Sequence, residues 1–95
     1  MMILKAKQMV TVKKFSAAWC GPCRALAPVM NEVKTQFSNV KFEDYDVDEA
    51  YEEATKYGIR SVPTVIIEKN GVEFERFTGT SSKIAYINAI NESLK

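Results

Sequence analysis

The chain of 95 residues has no histidine, only two cysteines, one tryptophan and three prolines. Each shortage removes a class of chemistry. Without histidine, no Ser–His or Cys–His nucleophilic pair of the usual kind can form. A structural zinc site takes about four ligands, mostly Cys or His. Two cysteines cannot supply them, so no metal site is expected. Lysine and arginine number 13 against 12 acidic residues, for a net charge of +1. That balance gives no electrostatic case for a nucleic acid or an anionic membrane surface. The longest strongly apolar run lies near Val62–Ile67, far short of the roughly 20 residues that span a bilayer. The start of the chain, Met1-Met2-Ile3-Leu4-Lys5, lacks the charged leader, long apolar stretch and cleavage site of a secretory signal. The chain is therefore expected to be a cytoplasmic monomer, with residues 1–95 forming one domain.

The two cysteines that are present, Cys20 and Cys23, stand two residues apart in Trp19-Cys20-Gly21-Pro22-Cys23. In a reducing compartment such spacing signals metal binding or redox chemistry, and the ligand shortage leaves the redox reading. The surrounding elements place the pair. Met9–Phe15 reads as a strand, interrupted by Lys13 and Lys14. Cys20-Gly21-Pro22 opens a helix, with Pro22 suited to its first turn. Leu26, Met30, Val33 and Phe37 line one helix face, and Pro28 should bend or break the ladder. Val40–Val47 reads as a second strand. Asp48 is the expected N-cap of a short helix ending at Tyr57-Gly58, with Ala50, Ala54 and Tyr57 inward.

Val62–Glu68 reads as a third strand with Pro63 near its start. Asn70-Gly71 signals a hairpin, and Val72–Phe77 is its return strand, with Val72, Phe74 or Phe77 available for packing. Ser81 or Ser82 caps a last helix whose apolar period runs Ile84, Ile87, Ile90 or Asn91, and Leu94. The first strand–helix–strand unit requires parallel strands. The fold class is α/β, a mixed central sheet of about four strands flanked by helices.

A cysteine just before a helix start faces unpaired backbone N–H groups and the positive end of the helix dipole. Both stabilise a thiolate and lower its pKa below the free value of about 8.5. Cys20 is thus expected to be the exposed attacking sulfur. Cys23, one turn on and deeper, is the resolving one. Pro22 stiffens the turn and offers no competing N–H, and Gly21 leaves room for a partner chain.

Together with Ala27-Pro28, Gly58-Ile59-Arg60-Ser61-Val62-Pro63-Thr64, Lys69-Asn70-Gly71 and Thr78-Gly79, the cysteine segment resembles the thioredoxin family over about residues 9–95. The resemblance implies a shortened thioredoxin fold and a disulfide-reducing activity with no bound cofactor. It further implies recharging by a reductase, usually NADPH-dependent, and disulfide-containing client proteins as partners. Pro63 would be a cis-proline facing the cysteines and presenting Val62 to a substrate chain. Trp19, Gly21, Pro22, Val47, Ser61, Val62, Pro63, Thr78, Gly79 and Thr80 fall where the family has its docking surface. Two departures stand out. Only about eight residues precede the first strand, too few for the family's opening strand and helix, leaving room for a short extra strand over Met2–Ala6 at most. The family's buried aspartate, six residues before the first cysteine, is matched here by Lys14, and its lysine on the next strand by Asp44. A Lys14–Asp44 pair with reversed charges is therefore expected beneath the cysteines; the plainer reading is that Lys14 snorkels to solvent and Asp44 is merely exposed.

Plainer readings compete for several of these residues. Trp19 could pack in a core, and Pro63 could be an ordinary strand-start proline. Arg24 reads as a solvated charge. Glu43, Asp44, Asp46, Asp48, Glu49, Glu52 and Glu53 read as a solvated strand end and helix. Functionally, a dithiol reductase competes with an electron donor dedicated to one enzyme. A third reading is an accessory binding module whose dithiol is incidental. Replacing both cysteines by serine separates an enzyme from a module.

Overall fold

A computed structural model describes residues 8–95, so the expected extra strand at Met2–Ala6 lies outside the described residues. Strand β1 (Val10–Ser16) is followed by helix α1 (Gly21–Thr35), β2 (Lys41–Asp46), α2 (Tyr51–Lys56), β3 (Thr64–Lys69), β4 (Val72–Thr78) and α3 (Lys83–Ser93). The sheet order is β2-β1-β3-β4. β1 and β2 are parallel, with Lys14 opposite Asp44, and the β1–β3 and β3–β4 pairs are antiparallel. The sheet is therefore mixed, as the βαβ reading and the Asn70-Gly71 hairpin require. Asn70 and Gly71 both have positive φ, 54° and 82°, the condition of a type I′ turn.

One sheet face carries the main core. Val10 and Val12 of β1 and Val65 and Ile67 of β3 pack with Leu26, Met30 and Val33 of α1 and Tyr86 and Ile90 of α3. Strand alternation and the helical period place these side chains on facing surfaces. Helix α1 runs unbroken through Pro28, which lies on its exposed side. Of the expected α3 series, Ile90 is buried and Ile87 and Leu94 pack against the core, whereas Ile84 is exposed and Tyr86 and Ser93 complete the buried face. Tyr86 turns α3 because its ring meets Phe77 edge-on at 4.8 Å while its hydroxyl accepts from Ser81 N–H at 2.9 Å. Ser82 is the cap, accepting from Ala85 N–H. On β4 only Phe77 packs inward; Val72 and Phe74 are exposed.

The opposite face is polar where it meets α2. Lys13 Nζ donates to Tyr57 Oη at 2.8 Å and lies 3.5 Å from Glu68 Oε1 and 3.7 Å from Glu43 Oε1. The Tyr57 hydroxyl in turn donates to Glu68, and Tyr45 donates to Glu43 at 2.7 Å. Phe15 stacks on Tyr45 and tilts against Tyr57. Burial alone would lower the Lys13 pKa, but the bond to Tyr57 and the Glu68 charge outweigh it and hold the ammonium above the usual lysine range. Each charge of the cluster has a partner, which is what a low-dielectric setting demands.

Candidate active site

The loop between β1 and α1 delivers the cysteines. Cys20 is the N-cap of α1, with extended backbone, and its Sγ accepts from Cys23 N–H at 3.2 Å. Pro22 occupies the first turn, where its missing N–H costs no helix bond. Cys20 and Cys23 form a disulfide with Cα atoms 5.3 Å apart. Ala17 joins them in a small cluster against which Val47 and Val62 pack. The expectation of an exposed Cys20 above a deeper Cys23 is corrected. The two residues are 4% and 5% exposed, with Ala17, Val47 and Val62 packed around them.

Beside the disulfide a groove of about 130 Å³ is lined by Trp19, Val47, Ile59, Arg60, Ser61 and Val62. Trp19 is 68% exposed, so it forms a wall rather than core. Its Nε1–H donates to Asp48 Oδ2 at 2.9 Å. This contact corrects the capping expectation for Asp48. Helix α2 starts after Ala50, which makes no side-chain cap bond. The turn before it is organised by Asp46, whose carbonyl receives the N–H groups of Glu49 and Ala50 and whose Oδ1 receives that of Asp48. Asp48 is thereby left free to turn toward Trp19.

The opposite rim descends from α2. Gly58 has φ +62° and swings the chain into Ile59–Val62. The Val62–Pro63 bond is cis, and the Pro63 carbonyl accepts from Gly79 N–H at 2.9 Å. Thr64 Oγ1 donates to Ser61 O at 2.8 Å. Gly21 and Pro22 are exposed at the helix start, and Thr78 and Thr80 flank Gly79 at the surface; Pro63 itself is buried. Ile59 and Arg60 complete the groove without having been singled out for it. The available signal was their position between Gly58 and the Ser61-Val62-Pro63 segment.

Lys14 and Asp44 do meet, with Nζ 3.5 Å from Oδ1. The pair differs from a buried one, since the Asp44 side chain is 77% exposed against 13% for Lys14. Lys14 borders a narrow gap with Val12, Met30, Asn31, Lys34 and Phe42. Asp44 lies on β2, the outer strand among the described residues, where the carboxylate can turn into solvent. Among the described residues no group of three or more His, Cys, Asp or Glu side chains could hold a metal. Nor is any described helix long and apolar enough to cross a membrane.

The thioredoxin family model matches residues 1–92. The chain is 41% identical to "Thioredoxin 1" of Synechococcus elongatus over 81 residues, covering 84% of this chain and 76% of that one. It is 38% identical to the thioredoxin of Bacillus subtilis over 86 residues, covering 90% and 83%. Among solved structures, thioredoxin NaTrxh from Nicotiana alata superposes with a TM-score of 0.83 at 34% identity, over 90% of this chain and 73% of that one. A mutant thioredoxin from Halobacterium salinarum gives 0.84 at 32% identity, over 90% and 75%. With a cysteine pair bonded at the start of α1, the chain belongs to the thioredoxin family and is a thiol–disulfide oxidoreductase.

Proposed function

We propose that the chain, as a single domain over residues 1–95, reduces disulfides of client proteins, with Cys20 attacking and Cys23 resolving. The observation that carries the reading is the Cys23 N–H on Cys20 Sγ at the start of α1. That contact survives as a charge-assisted bond when Cys20 is a thiolate. The Cys20 thiolate attacks one sulfur of the client disulfide and expels the other as a thiolate, which takes up a proton. Cys23, losing its own proton, then attacks Cys20 Sγ. The Cys20–Cys23 bond forms and the second client thiolate leaves. Two electrons pass to the client, and the protein ends in the disulfide state.

The lowered thiol pKa contributes only part of the rate. For a thiol moving from about 8.5 to about 7, a value known for thioredoxins, the thiolate fraction at neutral pH rises from about 3% to about 50%. Intrinsic nucleophilicity falls with pKa and returns a factor of about 6, so the net gain is about threefold. Docking and the intramolecular second step must supply the rest. The groove walls support docking: Trp19, Val47, Ser61 and Val62 offer apolar surface and backbone to an extended client segment, with Gly21, Pro22, Pro63, Thr78, Gly79 and Thr80 around it. Ile59 and Arg60 extend the same rim.

On this reading the disulfide is recharged by a thioredoxin reductase that draws on NADPH, and the protein works as a monomer in the cytoplasm. Mixing the fully reduced protein with an oxidised polypeptide tests the reading. Stoichiometric thiol release from the polypeptide is expected, and it should vanish when both cysteines are serine. Release that persists in the double variant would leave the dithiol incidental.

A further inference from the structure

Tyr57 is tied down from three directions immediately before the chain enters the groove rim. Its hydroxyl accepts from Lys13 Nζ at 2.8 Å and donates to the buried Glu68. Its carbonyl accepts from Arg76 Nη2 at 2.7 Å. Its ring lies 5.7 Å from that of Phe15. Arg76 is itself held by Glu73, through Nε to Oε2 at 3.0 Å and Nη2 to Oε1 at 2.8 Å. These groups come from β1, β3 and β4, so three strands converge on one residue at the end of α2. One residue later, Gly58 turns the backbone at φ +62° and Ile59–Val62 line the groove. The far end of the rim is fixed through Ser61 O and Pro63 O, by Thr64 Oγ1 and Gly79 N–H. Ile59 N–H bonds back to Ala54 O. Between these ties Arg60, Ser61 and Val62 belong to no strand.

We propose that Lys13, Glu68 and Arg76, acting through Tyr57, are positioning residues that hold the Ile59–Val62 rim where a client segment docks. None of the four lines the groove, so each acts through the rim backbone. A segment outside regular structure that is pinned at both ends can present its backbone at a constant height. Released at the Tyr57 end, it can pivot at Gly58. The Lys13–Glu68 side of the clamp has little exposure, which favours one geometry over many, and Arg76 is fixed by its two bonds to Glu73. This inference rests on the docking groove of the proposed function, and it predicts which step suffers when the clamp is loosened. Recognition of an extended client weakens, while the cysteines, held by α1, react as before.

The test uses the fully reduced full chain in single-turnover oxidation, with two substrates. One is an extended peptide carrying one disulfide, and the other is bis(2-hydroxyethyl) disulfide, too small to need the rim. Tyr57→Phe keeps the ring and leaves Lys13 within 3.5 Å of Glu68, so no buried charge is orphaned. Arg76→Met frees the Tyr57 carbonyl, and Arg76→Lys restores a donor. Each lost bond is expected to raise the peptide half-saturation concentration by about three- to tenfold. The limiting rate and the small-disulfide rate should stay within about twofold of the parent, as should the thiol–disulfide equilibrium with glutathione. Arg76→Lys should recover part of the loss. Unchanged half-saturation in folded Tyr57→Phe and Arg76→Met would overturn the proposal, and so would equal losses on both substrates. A parent protein that oxidises with neither substrate would instead remove the underlying function, and the inference with it.

Discussion

The indole N–H of Trp19, a wall of the groove, is hydrogen-bonded to the carboxylate of Asp48 at 2.9 Å. An exposed apolar wall is thereby fixed by an exposed charge, and the ring that lines the groove has one preferred orientation. The loop before α2 is thus coupled to the loop before α1.

Asp48→Ala should release the ring. The bond is exposed, so its net worth is about 0.5–1 kcal/mol. A rise of about two- to fivefold in the half-saturation concentration for a peptide disulfide is expected. Trp19 fluorescence should lose anisotropy in parallel, being the emission of the chain's single tryptophan. Asp48→Asn, which keeps an acceptor, should fall between the two. Unchanged anisotropy in Asp48→Ala would show that packing alone fixes the ring.

The order of attack is open to a trapping experiment. Cys23→Ser should accumulate mixed disulfides with client polypeptides through Cys20, and Cys20→Ser should not, as read by non-reducing gels and mass spectrometry. Near-equal burial of the two residues in the disulfide state does not distinguish them. The distinction lies in the N-cap position of Cys20, where Cys23 N–H meets its sulfur. Trapping through Cys23 would reverse the roles.

Alkaline unfolding should report the polar cluster. Tyr45 is pushed up to about 12, first by its hydrogen bond to Glu43 and then by burial. Tyr57 is raised by burial and by its bond to Glu68, and Lys13 is raised as well. For each group the folded state holds its proton to higher pH than the unfolded state. The stabilisation is complete below the unfolded value near 10 and is lost as pH rises through the folded one. Urea unfolding free energies should therefore fall between about pH 10 and pH 12. Tyr45→Phe should flatten part of that slope, and an identical slope in the variant would remove Tyr45 from the account.

The Lys14–Asp44 contact should matter little for stability. A pair with one partner 77% exposed contributes about 0–1 kcal/mol. Asp44→Ala is expected to lower the unfolding free energy by no more than that, with less effect at high salt. Because Lys14 pairs with an exposed carboxylate and borders a gap beside the middle of α1, Lys14→Met should affect formation and release of the mixed disulfide alike. A selective slowing of release would restore the role expected from its sequence position.

Local signals carried much of the fold. The spacing of Leu26, Met30 and Val33 marks the buried face of α1, Asn70-Gly71 marks the hairpin, and the Trp19–Cys23 segment marks the site. These features depend on neighbours within a turn or two. What escaped depends on partners far along the chain. Lys13 reads as an interruption of a strand until β3 and α2 bring Glu68 and Tyr57 to it. Asp48 has the residue type of a cap, but Asp46 already organises that turn and Trp19 claims its carboxylate. On α3 the apolar period places Ile87, Ile90 and Leu94 against the core, but not Ile84. Tyr86 is buried because Phe77 and Ser81 receive its ring and its hydroxyl, whereas Ile84 faces solvent. Ile59 and Arg60 line the groove because Gly58 turns the chain at positive φ, a placement their residue types do not signal.

The central claim is that the Cys20–Cys23 couple works as a reductant of client disulfides, and its reduction potential tests this most directly. Equilibration of the protein with glutathione redox buffers, read by Trp19 fluorescence, gives the value. A potential of about −270 mV, the value characteristic of thioredoxins, is expected. A potential well above about −200 mV would place the protein among oxidants or isomerases and contradict the account.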